Sequence, residues 1–400
     1  MSTSHLYHAY QISGVQYEST EYSKSEIIYK TKMKIDDIQC PRCKGENFHK
    51  KDNKTRRFRM IPLGRKKCFL DVLLFRFECQ DCNKKWWPKL PFMCGIKRIA
   101  KSLMNYVVDM LRIGTIKDVA NHIGSSWGVV KIIHKQLLKR FYRKIDISEI
   151  VYLGIDEFSI KKGHEYMTIF IDLQSGRIVH AVRGRDVKSI RSFLKKLRKK
   201  AAKLRAVAMD MSRPYIAGVK EHLPHVDIVF DRFHVQAMMN RAIDELRRDE
   251  QNELPPQEKN LLKGARFIFL RNYEVLSSVH TERLLELLNA NMCICVAYVL
   301  KENFRRFWEK KNYKEGAAFL LAWVMDAIDS GIPHLKKIAD TLMKYHEELL
   351  NYFKHRITNG RTEGINNKIK TLKRQMYGFR DEAYFKLRLY HLHKQECKLV

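Results

Sequence analysis

VYLGIDEFSI (151–160), EYMTIFIDL (165–173) and RIVHAVRGR (177–185) carry the first decision about the fold. In the first segment Val151, Leu153 and Ile155 share one face and Asp156 lies on the other, the period-two alternation of a strand with one buried side. The other two follow at hairpin spacing, parted by the turn Gln174-Ser175-Gly176. DVKSIRSFLKKLRKKAAKLR (186–205) then changes period. Ile190, Phe193, Leu194, Leu197, Ala201 and Leu204 form a helical stripe against a Lys/Arg face. That face reads as a solvated helix surface, with a DNA contact as the alternative. RAVAMDMSRPY (205–215) gives an apolar strand ending in Asp210, and VDIVFDRFHV (226–235) gives one ending in Asp231, with His234 three residues on. Three strands, a helix, a strand, a helix and a strand describe a mixed α/β sheet.

Two carboxylates at the ends of neighbouring strands raise each other's pKa unless a divalent cation lies between them. Oxygen donors without a nearby histidine or cysteine set point to magnesium or manganese. A pair of such ions supports in-line phosphoryl displacement. One such aspartate alone is weak evidence, since strand-end aspartates also serve in turns. A third acid stands in ITNGRTEGINNKIKTLKRQMYGF (357–379), where Asn359-Gly360 is a turn, Glu363 opens a helix, and Lys368, Lys370, Lys373 and Arg374 follow. Glu363 is either a first-turn acid that favours the helix dipole or a metal ligand beside a DNA-binding helix face.

The chain has 400 residues, 76 Lys+Arg against 44 Asp+Glu, and a net charge of +32, which calls for a polyanionic partner. Residues 40–150 hold 26 of the basic and 9 of the acidic side chains, the densest excess in the chain. A hydrophobic content of 45% excludes a wholly disordered basic tail. The longest apolar run, Ala317 to Met325, is far short of the roughly 20 residues that span a bilayer. No secretory signal is visible in the first twenty residues. These features predict a soluble, cytoplasmic protein with no membrane partner. In a reducing compartment its nine cysteines serve as metal ligands or core residues.

Cys40-Pro41-Arg42-Cys43 and Cys79-Gln80-Asp81-Cys82 are two CxxC knuckles, and four thiolates close a tetrahedral structural zinc site. Unrelated thiols are the alternative. Between them RRFRMIPLG (56–64) and KKCFLDVLLFRFEC (66–79) read as strands, the layout of a zinc ribbon. Cys68 and Cys94 are spare and read as core packing, with a replacement zinc ligand as the alternative; Cys293 and Cys295 read as packing. LYHAYQISGVQYESTEY (6–22) is strand-like.

In TIKDVANHIGSSWGVVKIIHKQLLKRFYR (115–143) Thr115 caps a helix, Ala120 is small at a helix crossing, and Gly124 supplies a left-handed turn. Ile123, Val130 and Ile133 fill the core, which is the helix-turn-helix pattern; an ordinary helical hairpin is the alternative. The second helix, about Ser126 to Gln136, would present Ser125, Ser126, Trp127 and Lys131 to DNA.

IDEFSIKKGHEYMTIFIDLQSGRIV (155–179), VAMDMSRPY, FDRFHV and NGRTEGINNKIKTLKRQMYGF closely resemble the blocks of the ISL-three family of bacterial insertion-sequence transposases. The zinc ribbon and TIKDVANHIGSSWG resemble that family's DNA-binding region, so the likeness runs over nearly the whole chain. It implies a ribonuclease-H-like catalytic domain whose DDE triad is carried over as Asp156, Asp210 and Glu363, with magnesium or manganese held by all three. Asp231-Arg232-Phe233-His234 is similar to the C/D-x-x-H motif that follows the second acid in related families. Asp210 is preferred to Asp231 as the second ligand because it ends the strand after the first long helix.

The expected architecture is multidomain α+β. Residues 1–39 form an N-terminal strand-like segment, 40–94 a zinc ribbon, and 95–148 a helix-turn-helix domain. Residues 149–236 and 355–400 form the ribonuclease-H-like catalytic domain, and 237–354 an α-helical insertion in which Trp308 and Trp323 are core residues or aromatic supports for distorted DNA. The resemblance implies an enzyme that binds terminal inverted repeats, cuts and joins double-stranded DNA, works on the bacterial nucleoid and assembles as a homo-oligomer. Two rivals are a DNA-binding regulator with an inactive catalytic domain and a nuclease that cuts without joining.

Overall fold

The computed structural model of the chain describes residues 3–36, 38–93, 95, 98–161, 165–255, 262–358, 360–376 and 381–393. It divides into two units, Met1–Lys144 with Lys373–Val400, and Ile145–Leu372.

The first unit begins with α1 (Thr3–Tyr10), β1 (Val15–Tyr22), β2 (Glu26–Met33), β3 (Phe48–Arg59), β4 (Lys67–Cys79) and β5 (Lys85–Trp86). The strand-like reading of 6–22 therefore applies only from Val15. Before it, Leu6 and Tyr10 lie one helical turn apart and are both buried, which favours a helix. The sheet order is β1-β2-β4-β3, with β5 also on β4. β2 runs parallel to β4 from Glu26↔Lys67 to Lys32↔Leu73, so the first 39 residues share a sheet with the cysteine knuckles. Along β4 Cys68, Leu70, Val72 and Leu74 are buried at alternate positions, as a strand with one core face requires. Cys68 packs as expected; Cys94 lies outside the described residues.

Three helices follow, α2 (Lys101–Met110), α3 (Ile116–Ile123) and α4 (Trp127–Phe141). Thr115 and Asp118 close a reciprocal capping box at the start of α3. Gly124 ends α3 with φ 60°, and a Cβ there would stand 3.0 Å from Lys67 Cε. Val119, Ala120, Ile123, Val130 and Ile133 pack with α2 in one core.

The second unit holds β6 (Tyr152–Lys161), β7 (Glu165–Asp172), β8 (Ile178–Arg183), α5 (Val187–Lys200), β9 (Ala206–Met209), α6 (Arg213–His222), β10 (Asp227–Phe230) and α7 (Arg232–Glu253). Its sheet order is β10-β9-β6-β7-β8. β6, β7 and β8 are antiparallel neighbours, whereas β9 and β10 run parallel to β6. All four residues of β9 are buried, as befits a parallel strand in the middle of a sheet. The stripe Ile190, Phe193, Leu194 and Leu197 buries α5.

Among the described residues six α-helices follow: α8 (Arg266–Leu270), α9 (Ser278–Ala290), α10 (Met292–Phe304), α11 (Tyr313–Asp329), α12 (Pro333–Lys344) and α13 (His346–His355). Trp308 and Trp323 are both core residues, and the Trp323 indole donates to the Leu300 carbonyl at 2.9 Å. Cys293, expected to pack, is instead exposed on α10, because the helix turns Ile294 and Ala297 inward. α13 covers the open edge of β10, where Asn351 donates to the Ile228 carbonyl at 3.1 Å and His355 bonds Asp227 at 2.7 Å.

Next comes α14 (Gly360–Gln375), and last α15 (Glu382–His391), which packs on α4 in the first unit. There His134 and Tyr384 share a buried bond of 2.6 Å, and Lys135 bonds Asp381 at 2.7 Å. The structure therefore divides the C-terminal stretch 355–400 at Lys373, because the apolar side of α15 finds its complement on α4.

Candidate active site and metal centre

The parallel pairing of β6 with β9 runs to Gly154↔Ala208, and that of β9 with β10 to Met209↔Phe230. Two residues past the first pair stand Asp156 and Asp210; one past the second stand Asp210 and Asp231. Three aspartates thus lie just past the ends of these ladders, on three chain segments that are neighbours in the sheet. Asp156 is not at a strand end, as the alternation alone suggested. β6 runs on to Lys161, paired with β7, after β9 has turned away at Asp210.

Each carboxylate is held by local amides. Asp156 accepts from the Glu157 amide at 2.7 Å, Asp210 from the Ser212 amide at 3.0 Å, and Asp231 caps α7 through the Phe233 amide at 3.1 Å. Burial pushes all three carboxyls above their ordinary range, and these bonds and the neighbouring His234 only partly offset it. Asp156 adds to the upward push on both Asp210 and Asp231. No lysine or arginine pairs with any of the three among the described residues.

Three supporting residues are absent from the sequence expectations. Asn366 donates from Nδ2 to Asp156 Oδ2 at 2.7 Å. Tyr215 donates to Glu157 at 3.0 Å and is itself bonded to Thr168 at 2.8 Å, which fixes the residue after Asp156. Asn366 had a readable signal, being three residues after Glu363 and so on the same helix face. Glu363 lies on α14, and its side chain is outside the described residues.

Of the expected DNA-contacting residues, Trp127 and Ser126 are exposed at the start of α4 and Ser125 is half-buried. The Ser126 hydroxyl accepts from the Val129 amide at 3.3 Å, so it caps the helix. Lys131 is tied by an ion pair of 3.3 Å to Asp381, which lies 250 residues later in the chain. Lys368, Lys370 and Arg374 are exposed on α14, and Lys373 is half-buried.

In the first unit the sulfurs of Cys40, Cys43, Cys79 and Cys82 all lie within 4.8 Å of one another, the only such group of metal-ligating atoms among the described residues. Cys40 and Cys82 sulfurs are 3.6 Å apart and those of Cys43 and Cys79 3.5 Å. A tetrahedral zinc ion with Zn–S bonds of about 2.3 Å needs sulfur separations of roughly 3.8 Å, so the four thiols fit a structural zinc. Both knuckles turn alike. Lys44 donates back to the Cys40 carbonyl and Asn83 to that of Cys79, each at 3.0 Å and each with positive φ.

Residues 153–389 match the ISL3-type DDE transposase family, described as "Transposase". The chain belongs to this transposase family. Residues 36–82 of the transposase also match the "zinc-finger of transposase IS204/IS1001/IS1096/IS1165". Over 384 residues the chain is 30% identical to the "Transposase for insertion sequence element IS1001" of Bordetella parapertussis, covering 95% of this chain and 94% of that one. It is 28% identical over 280 residues to the "Transposase for insertion sequence element IS1557" of Mycobacterium tuberculosis, covering 64% and 63%. Among solved structures, the "Drosophila P element transposase strand transfer complex" is similar with a TM-score of 0.39 and 12% identity, covering 73% of this chain and 91% of that one. The protein is thus a DNA transposase with a zinc-ribbon module. No helix among the described residues is long and apolar enough to cross a membrane.

Proposed function

We propose that this transposase cuts and joins DNA at one site formed by Asp156, Asp210 and Glu363. The observation that carries the reading is the position of Asp156 and Asp210 just past the end of the β6–β9 ladder, with burial and no paired cation. The sheet, three antiparallel strands followed by two parallel to the first, supports a ribonuclease-H-like catalytic domain. The helical stretch 237–354 is then its insertion, and residues 95–148 its helix-turn-helix reader of terminal inverted repeats. Work on element ends and target DNA places the protein on the nucleoid, and the pairing of two ends calls for a homo-oligomer.

Carboxylates kept from water without a counter-charge fit hard divalent cations. Asp156, Asp210 and Glu363 would hold magnesium or manganese, which when bound supplies charge neutralisation and an activated oxygen for in-line displacement. Asn366 fixes one oxygen of Asp156 and leaves the geometry of the other to the Glu157 amide. Glu363 stands one helical turn before Asn366 on α14. Asp210 follows β9, the neighbour of β6, whereas Asp231 follows the edge strand β10, which supports Asp210 as the second ligand and leaves Asp231 and His234 as its flank. In the cut, water adds to the phosphate at the element end and the 3′-oxygen leaves as a hydroxyl. In the joining step that hydroxyl attacks a target phosphodiester and displaces a 3′-hydroxyl from it.

The test is a cleavage and strand-transfer assay with magnesium on uncut and on pre-cut element ends. Wild type joins them, while Asp156→Ala, Asp210→Ala and Glu363→Ala each abolish joining and retain end binding. Binding without cutting would establish the regulator instead, and cutting without joining the nuclease.

A further inference from the structure

Beside the acids the second unit opens into a cleft of about 330 Å³, lined by Asp210, Arg213, His234, Arg241, Lys344 and Tyr345 among others. Its walls come from three elements: the start of α6, one face of α7, and, about a hundred residues later in the chain, the end of α12. Arg213, Arg241 and Lys344 are exposed, and none has a carboxylate partner among the described residues. Several other arginines of this unit do pair with acids. Arg247, Arg248 and Arg266 all surround Asp244, and Arg185 faces Glu157. Lys344 Nζ lies over the Tyr345 ring, 5.3 Å from its centroid, and the three cations, converging on one recess without a carboxylate partner, repel one another, which suits an anionic ligand.

Size selects among anions. The cleft lies at the low end of pockets that enclose small ligands, about 300–1,000 Å³. A duplex, whose major groove alone is about 12 Å wide, does not enter it. One nucleotide of an unpaired strand does. Tyr345 supplies an aromatic surface for a base: its ring is held edge-on by Phe230, centroids 5.6 Å apart, and stays half-buried in the cleft. Bases stack on such rings whatever their sequence.

We propose that this cleft is a strand subsite that takes an unpaired nucleotide of DNA beside the phosphate being cut, with Arg213, Arg241 and Lys344 on its phosphates and Tyr345 on its base. The inference rests on the assignment of the reaction to Asp156 and Asp210. It gives α12, in the helical stretch between α7 and α14, a direct part in holding substrate.

The experiment uses the full-length protein without divalent cation. Fluorescence anisotropy follows a short labelled single strand over a salt series, with excess unlabelled duplex occupying the other basic surfaces; duplex affinity is measured separately. Arg213→Ala/Arg241→Ala/Lys344→Ala is expected to weaken the single strand at least about tenfold. Its log–log salt slope should become shallower by about 2, at roughly 0.7 per phosphate contact. Tyr345→Ala should weaken the same probe about tenfold with its slope unchanged, as loss of stacking rather than charge. Lys195→Ala/Lys196→Ala/Lys199→Ala, an equal charge loss on α5, should leave the single-strand slope in place. An unchanged slope in the cleft variant, or equal losses for single strand and duplex, overturns the subsite. Because no chemistry is read, the two assignments fail separately. Normal cleft binding with no magnesium-dependent joining sinks the active-site reading alone, and normal joining with an unchanged slope sinks the subsite alone.

Discussion

Asn366 on α14 donates a 2.7 Å hydrogen bond to Asp156 on β6, 210 residues earlier in the chain. Its Oδ1 is buried without a hydrogen-bond partner, so one side of the amide is committed to the acid and the other is left to accept. A bond to a charged group contributes about 1.5–3 kcal/mol, so Asn366→Ala should lower joining by roughly ten- to a hundredfold. Binding to element ends should not change. Asn366→Asp, which sets a second carboxylate against Asp156, should be worse than the alanine variant near neutral pH. Single-turnover joining rates check this, and wild-type rates in Asn366→Ala would make the bond incidental.

Removing zinc should unfold the knuckle module. Its four cysteines are the cross-link of a small sheet, and apo forms of such sites lose their folding free energy with the metal. One zinc per chain is expected by elemental analysis, and none in Cys79→Ser. Chelation should expose the amides of β3 and β4 to hydrogen exchange. Slow exchange in the metal-free protein would show that β1 and β2 alone hold the sheet.

Acid should loosen α15 from α4. Burial pushes the Asp381 carboxyl up, but Lys135, the Tyr384 amide and Lys131 outweigh it and bring the pKa down to about 2. A depressed carboxyl contributes stability above its unfolded pKa, about 3.9, and loses it as pH falls through the folded value. Asp381→Asn should therefore be less stable than wild type at neutral pH, by under about 1 kcal/mol because the pair is partly exposed. The difference should vanish between about pH 4 and pH 2. Urea midpoints across that range decide it, and a gap that persists at pH 2 would mean the charge is not its source.

Gly316→Ala should destabilise the second unit. A Cβ at this position of α11 would stand 2.2 Å from the Phe353 ring of α13, and that ring also packs on Phe307. Overpacking of this kind costs about 1–3 kcal/mol, more than alanine returns in helix propensity. A thermal midpoint equal to wild type would show that the ring moves aside freely.

Much of this was legible in local pattern. The alternation in β6, the stripe on α5, the capping box at Thr115 and the turn at Gly124 each depend on residues within a few positions of one another, and each stands in the structure. Asp156 and Asp210 were readable as strand-associated acids for the same reason. Cys293 was misread because spacing alone does not say which side of α10 meets a neighbour. α1 was misread because aromatic and β-branched residues near Val15 extend the strand pattern across Leu6 and Tyr10.

By itself the sequence determined most of the elements and the two metal-ligand knuckles, because helix and strand periods and CxxC spacing are set by nearest neighbours along the chain. Only the tertiary structure decided which acids lie past the end of one ladder, since register depends on where β9 stops against β6. It alone paired Asn366 with Asp156, Lys131 with Asp381, and α12 with the mouth beside Asp210. Each of these joins residues more than a hundred positions apart. No local period encodes such contacts; burial of apolar faces sets them when the chain closes on itself.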